Sequence, residues 1–334
     1  MYLSFYSLKE NPFNLVSDPG LFYYSESHCE ALAQLLYALG ERKGLTLLLG
    51  EAGTGKTMVL RTTLAMLRCT NVMPALILNP LVRRPEELLQ LILQAYGVRT
   101  TGTGLGTLTE KLYRHLEGQN TLGVVPVLIV DEAQALNSVI LEQIRLLTNF
   151  EGEGRKLLQV VLAGQPELAQ RIDSAEMRAL RQRIAVRCRL RPLNRLETPE
   201  YVRSRLERSS DSNRSIFTLA ALDCIYRYSM GIPRIINNIA DNCLLAGYAR
   251  GFAQIHSPLV EEVSQHLELQ PADNGGRQIA GVSEDLLRGA TSWKEVAHRA
   301  DRGTAPQEFA KFVDKLSTCP HAVSTEETTT VAGE

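Results

Sequence analysis

Apolar runs with little polar alternation recur along the first two thirds of the chain. They are TLLLG at 46–50, ALILN at 75–79, VVPVLIVDE at 124–132, LLQVVLAG at 157–164 and AVRCRLRPL at 185–193. Such runs suit strands buried on both faces of a parallel sheet. Between them the apolar spacing shifts to three and four residues. That spacing predicts helices near 55–67, 85–96, 106–117 and 138–150, and helical stretches up to about 183. The β-α-β-α order predicts an α/β sandwich.

After Pro192 the pattern changes. Residues 196–209, 216–229, 233–249 and 257–267 all read as helices and no strand run occurs, which predicts a small all-α domain. From about 270 the composition turns polar, through PADNGGRQ to a close of STEETTTVAGE. Residues 270–334 read as a largely disordered tail, with weak helical patterns near 283–300 and 306–317.

Two stretches carry chemistry. GEAGTGKT at 50–57 follows a predicted strand and opens a predicted helix, the context that G-x-x-x-x-G-K-[ST] requires. Gly50, Glu51, Ala52, Gly53, Thr54 and Gly55 would turn backbone N–H groups toward phosphate oxygens, and the helix N-terminus adds its positive end. Lys56 would reach the β- and γ-phosphates, and the Thr57 hydroxyl would ligate Mg²⁺. VLIVDEAQ at 127–134 sets two carboxylates at the carboxyl end of a strand, where α/β sheets bind ligands. Asp131 would hold Mg²⁺, partly through water, and Glu132 is the better general base. The distance from Lys56 to Asp131 along the chain leaves room for a strand between the two carrier strands.

Composition sharpens this picture at three points. A net charge of −1 over 334 residues argues against whole-molecule electrostatic attraction to nucleic acid. The cysteines (29, 69, 188, 224, 243 and 319) form no C-x-x-C pairs, so idle thiols in a reducing compartment are expected. The N-terminus shows no signal-peptide pattern and the longest apolar stretch, VVPVLIV, is too short to span a bilayer. The expectation is a cytoplasmic protein without direct membrane insertion.

With GEAGTGKT, VLIVDEAQ, LRQRI and GIPR in that order before a helical end, the chain resembles the AAA+ ATPases, P-loop NTPases built as a three-layer sandwich with a small all-α lid. The opening YSLKENPFNLVSDPGLFYYSESHCEALAQLLYAL, and GQPEL at 164–168, resemble the ExeA/GspA-type ATPases of general secretion and exopolysaccharide systems. The resemblance covers about 1–269. It implies an N-terminal linker at 1–25 that contributes to the nucleotide pocket, an ATPase domain at 26–192 and a lid at 193–269. It implies ATP and Mg²⁺ as ligands. Gln165 takes the place of the polar first sensor, where many relatives carry Asn, Thr or Ser. Arg183 matches the arginine finger that a neighbouring subunit supplies, with Arg181 the alternative. Asn79 takes the place of a residue restraining Glu132.

GIPR at 231–234 opens an amphipathic helix. Pro233 suits a first helical turn, Gly231 allows a tight entry, and Ile235, Ile236, Ile239, Ala240, Cys243 and Leu244 form the expected buried stripe. Arg234 lies off that stripe and resembles the second sensor, reaching from the lid to the γ-phosphate. A cation at a helix N-terminus is otherwise unfavourable.

The resemblance implies a ring or filament of copies that drives assembly of a secretion, pilus or polysaccharide-export machine. Larger relatives continue into a membrane helix and a peptidoglycan-binding domain, which are not read here, so a membrane partner is expected. Two alternatives stand beside it: a DNA-associated regulator of the transposition type, and a nucleotide-gated switch with little turnover. Nucleic acid is the less favoured partner, because no reading module is evident.

Overall fold

The structure is a computed structural model describing residues 2–67, 70–100, 104–152, 154–210 and 215–272. The tail beyond 272, with its two weak helical stretches and Trp293, lies outside the described residues, as do Cys69 and Cys319. Among the described residues no helix is long and apolar enough to cross a membrane.

A five-stranded parallel sheet carries the fold. Its strands are β1 (Leu45–Gly50), β2 (Val72–Ile77), β3 (Val125–Val130), β6 (Gln159–Gly164) and β7 (Ile184–Leu190), in the order β2-β3-β6-β1-β7. β6 lies between β1 and β3, so the strand expected between the two motif-bearing strands is present. Two short strands, β4 (Glu151–Gly152) and β5 (Arg155–Lys156), form a separate hairpin that apolar periodicity does not reveal. β2 begins at Val72 and contains Pro74, which a strand with one neighbour tolerates.

Helices flank both faces. They are α2 (Glu26–Gly40), α3 (Lys56–Met66), α4 (Pro85–Ala95), α5 (Leu105–Thr121), α6 (Ser138–Leu147), α7 (Pro166–Asp173) and α8 (Arg178–Arg181), after a short N-terminal α1 (Tyr2–Phe5). Leu47, Leu128, Val130, Val160 and Leu162 are fully enclosed against α4 to α8. Each such burial contributes about 1.5–3 kcal/mol. α5 runs four residues past the expected 117, and Gly123, at φ 74°, follows its end.

The region after β7 is helical: α9 (Glu197–Arg208), α10 (Leu219–Ser229), α11 (Pro233–Ala249) and α12 (Ser257–His266). They pack around Val202, Ile225, Ile236, Ile239, Leu244 and Val260. Tyr6, Leu8 and Phe13 from the N-terminal segment join this same cluster. Tyr6 Oη donates to the Phe252 carbonyl at 2.9 Å, and the Lys9 N–H donates to the Ser209 carbonyl at 2.7 Å. On α11 the stripe differs in two positions: Ile235 is half-buried, while Asn237 is buried and accepts a hydrogen bond from Tyr201 Oη at 2.9 Å.

The entry to α11 is tightly specified. Gly231 has φ 73°, a conformation that L side chains rarely adopt. A Cβ there would sit 1.7 Å from the Leu193 carbonyl oxygen. The Leu193 N–H donates to the Gly231 carbonyl at 2.8 Å, which ties the exit of the sheet to the start of α11.

Candidate functional site

The loop between β1 and α3 has two glycines with positive φ, Gly53 at 80° and Gly55 at 103°. Gly55 caps α3 with no side chain over the helix end. Lys56 folds back, its Nζ donating to the carbonyls of Gly50 at 2.9 Å and Glu51 at 3.1 Å. An ammonium has three donors, so one remains for a ligand. Burial lowers the Lys56 pKa, and Glu132, Asp131 and Glu51 pull it back up. Thr54 Oγ1 donates to the Glu51 carbonyl at 2.8 Å, closing the loop on itself.

His28 on α2 supports the loop from below. Its Nε2 lies 3.0 Å from the Thr54 carbonyl, and its Nδ1 lies 2.7 Å from Ser25 Oγ, the N-cap of α2. A carbonyl only accepts, so Nε2 carries the proton and Nδ1 accepts from the hydroxyl. Burial lowers the His28 pKa from 6.5 to about 4, which keeps this neutral tautomer.

The carboxylates stand at the end of β3. Asp131 Oδ2 accepts from Thr57 Oγ1 at 2.5 Å, and Asp131 Oδ1 accepts from the Glu132 N–H at 2.9 Å. Burial raises the Asp131 pKa against these two hydrogen bonds. Two hard oxygen donors meeting beside a phosphate-type loop fit Mg²⁺. Glu132 adopts φ 52°, and its Oε2 accepts from Gln134 Nε2 at 2.5 Å and Gln165 Nε2 at 3.4 Å.

Part of this arrangement lines one end of a cavity of about 310 Å³. Its wall includes Gly53, Lys56, Thr57 and Glu132, and also Pro233, Arg234 and Asn237 of α11. The Arg234 N–H donates to the Gly53 carbonyl at 3.2 Å, and a Cβ on Gly53 would come 2.8 Å from Arg234 Cβ. The helical region therefore touches the loop itself. The opposite end is lined by Asn14, Leu15, Val16, Tyr23, Tyr201 and Arg205. Arg205 is 3% exposed; its Nη2 donates to the Asn14 carbonyl at 2.9 Å, its guanidinium lies 5.7 Å from the Tyr201 ring centre, and its Nε and Nη1 have no hydrogen-bond partner among the described residues. Room, a glycine cradle, buried cations and Mg²⁺-type oxygens together fit a nucleoside triphosphate.

The structure thus brings together the loop 50–57, Asp131, Glu132, Gln165 and Arg234. It does not bring Arg183 to this cavity: Arg183 is exposed ahead of β7, its charge felt by Glu151 on β4. Arg181 Nη1 donates to the Asp173 carbonyl at 3.2 Å. Asn79 is exposed just past β2 and makes no hydrogen bond to Glu132, whose carboxylate is held by Gln134 and Gln165 instead. His28, Gln134 and Arg205 were not anticipated. Only Gln134 had a local signal, its place right after the acidic pair.

Residues 39–172 match a protein family described as an AAA domain. The chain is similar to General secretion pathway protein A of Aeromonas hydrophila, 43% identical over 255 residues, which is 76% of this chain and 46% of that protein. The chain thus spans about half the length of that curated relative. Among solved structures it is similar to the Aeropyrum pernix ORC2 protein in ADPNP–ADP complexes (TM-score 0.60, 16% identity, 93% of this chain and 85% of that one). It is also similar to Drosophila ORC bound to DNA (TM-score 0.62, 16% identity, 95% of this chain and 78% of that one). At these identities the structural likeness concerns the fold.

Proposed function

We propose, from the premise that this chain carries an AAA domain and resembles General secretion pathway protein A, that it hydrolyses ATP to drive assembly or remodelling of a secretion-type machine. The single observation carrying this reading is the cavity that joins the 50–57 loop, Glu132 and Arg234, with Asp131 bonded to Thr57 behind it. The domain itself implies nucleotide binding; turnover, Mg²⁺ and self-association belong to the proposal.

The chain's own groups suit in-line hydrolysis. Lys56 and the amides at the start of α3 would hold the β- and γ-phosphates. Thr57, with Asp131 behind it, would hold Mg²⁺, which when bound neutralises charge on the phosphate oxygens. Glu132 would take a proton from the attacking water as its oxygen bonds to the γ-phosphorus and the bond to the ADP oxygen breaks. Arg234 would stabilise the charge that develops and transmit it to α11. In this reading 193–269 act as a lid, with residues 1–25 closing the far end of the pocket, and 26–192 carry the chemistry. Gln165 would sense the γ-phosphate through its link to Glu132. Arg183, exposed and outside its own cavity, suits a finger presented to a neighbouring copy in a ring or filament.

The DNA-associated reading is weaker. Much of the arginine-dense 178–208 stretch is committed within the chain: Arg187 to Asp173, Arg195 to Asp223, and Arg208 to the carbonyls of Gly20 and Phe22.

Steady-state phosphate release tests the proposal. The wild-type chain should turn over ATP with Mg²⁺, and Arg234→Ala should lower kcat by about 10–100-fold with the fold intact. A wild type saturated with ATP that releases no phosphate leaves only the switch.

A further inference from the structure

Glu132 is gripped by a side chain that the hydrolytic scheme above does not use. Gln134 lies in the turn after β3. Its Nε2 donates to Glu132 Oε2 at 2.5 Å, and its Oε1 accepts from the Gln165 N–H at 3.1 Å. The two partners fix the orientation of the carboxamide, because a backbone N–H needs an acceptor and a carboxylate needs a donor. Gln165 Nε2 reaches the same Glu132 oxygen at 3.4 Å. Oε2 is therefore tied twice to the turn between β6 and α7, while Oε1 has no hydrogen bond among the described residues.

The surroundings are shaped for this link. A Cβ on Gly164 would come 3.0 Å from Gln134 Oε1 and 2.6 Å from Leu168 Cδ2, so a glycine leaves space for the carboxamide. Glu132 itself holds φ 52°, a backbone state that a non-glycine residue keeps only where its neighbours fix it.

We propose that Gln134 is a positioning residue for hydrolysis. It clamps one oxygen of Glu132 to the turn that carries Gln165, keeps the other oxygen available to water, and passes movement of Gln165 to the base. This rests on the hydrolytic role proposed for Glu132.

The test compares kcat, ATP affinity and pH profiles for the full chain. Gln134→Leu keeps the size and removes both hydrogen bonds; kcat should fall about 30-fold, with ATP affinity within about twofold of wild type. Gln134→Glu keeps the shape but cannot donate when ionised. Two adjacent carboxyls share a proton as pH falls, so one pKa is raised and the donor returns. Its activity relative to wild type should therefore climb as pH falls, a change that a purely structural role would not produce. A wild-type kcat in Gln134→Leu, or a Gln134→Glu profile parallel to wild type, overturns the proposal. If Gln134→Leu does not fold, the Gln134→Glu profile decides alone. Glu132→Gln run alongside separates the two claims. Retained turnover there sinks the hydrolytic reading; lost turnover there with wild-type behaviour in both Gln134 variants sinks only the clamp.

Discussion

The two ends of the cavity are built on different principles. The phosphate end comes from two short stretches, 50–57 and 131–134, which bond to backbone a few residues away and to each other through Thr57 and Asp131. The far end joins Asn14, Tyr23, Tyr201, Arg205 and Asn237, drawn from the N-terminal segment, α9 and α11. One end draws its ligand-facing groups from two compact sequence motifs. The other exists only while the helical region and the N-terminal segment pack on each other, around Tyr6, Phe13, Ile225 and Ile239. The contact of Arg234 with Gly53 joins the two. The two ends can therefore be perturbed separately.

The most disruptive way to break that division is at the junction. Gly231→Ala places a Cβ 1.7 Å from the Leu193 oxygen at φ 73°. Left-handed strain and the displaced carbonyl together should destabilise the chain by about 3 kcal/mol or more, read as a lower urea midpoint. An unchanged midpoint would mean that the two regions are not coupled there.

A smaller effect isolates the local end. His28 is neutral when folded down to about pH 4 but titrates near 6.5 when unfolded. The unfolded chain therefore binds more protons between those values, and stability must fall as pH drops from 6.5 toward 4. Between pH 7 and pH 5 the loss from this group is about 2 kcal/mol. His28→Gln should flatten that part of the pH dependence in urea titrations, and an unaltered slope would count against the buried neutral tautomer.

The smallest effect separates the two ends by ligand. Arg205→Ala should weaken ATP about tenfold and leave inorganic tripolyphosphate binding within twofold, because Arg205 bonds to the Asn14 carbonyl and packs on Tyr201 rather than on the loop. Equal weakening of both ligands would place Arg205 in the phosphate end.

The same contrast explains what the sequence disclosed. GEAGTGKT and VLIVDEAQ were legible because strand, turn and helix follow one another directly, and the five sheet strands were legible as apolar runs. The β4–β5 hairpin was missed because two-residue strands have no period. The role of Gly231 was half-visible: the need for a tight entry shows in GIPR, but the Leu193 carbonyl that enforces it does not. His28 and Arg205 carry no local mark. Their partners, the Thr54 and Asn14 carbonyls, are backbone atoms far along the chain, and Arg205 is one arginine in a stretch crowded with them. Gln134 could be noticed but not interpreted, since its second partner is Gln165.

Glu132 is proposed as the base in a site whose phosphate grip is independent of it. The most direct measurement is ATP affinity and phosphate release for Glu132→Gln beside the wild type. ATP affinity should stay within about threefold and turnover should fall by about 10²–10⁴-fold. Turnover equal to wild type at saturating ATP would contradict it.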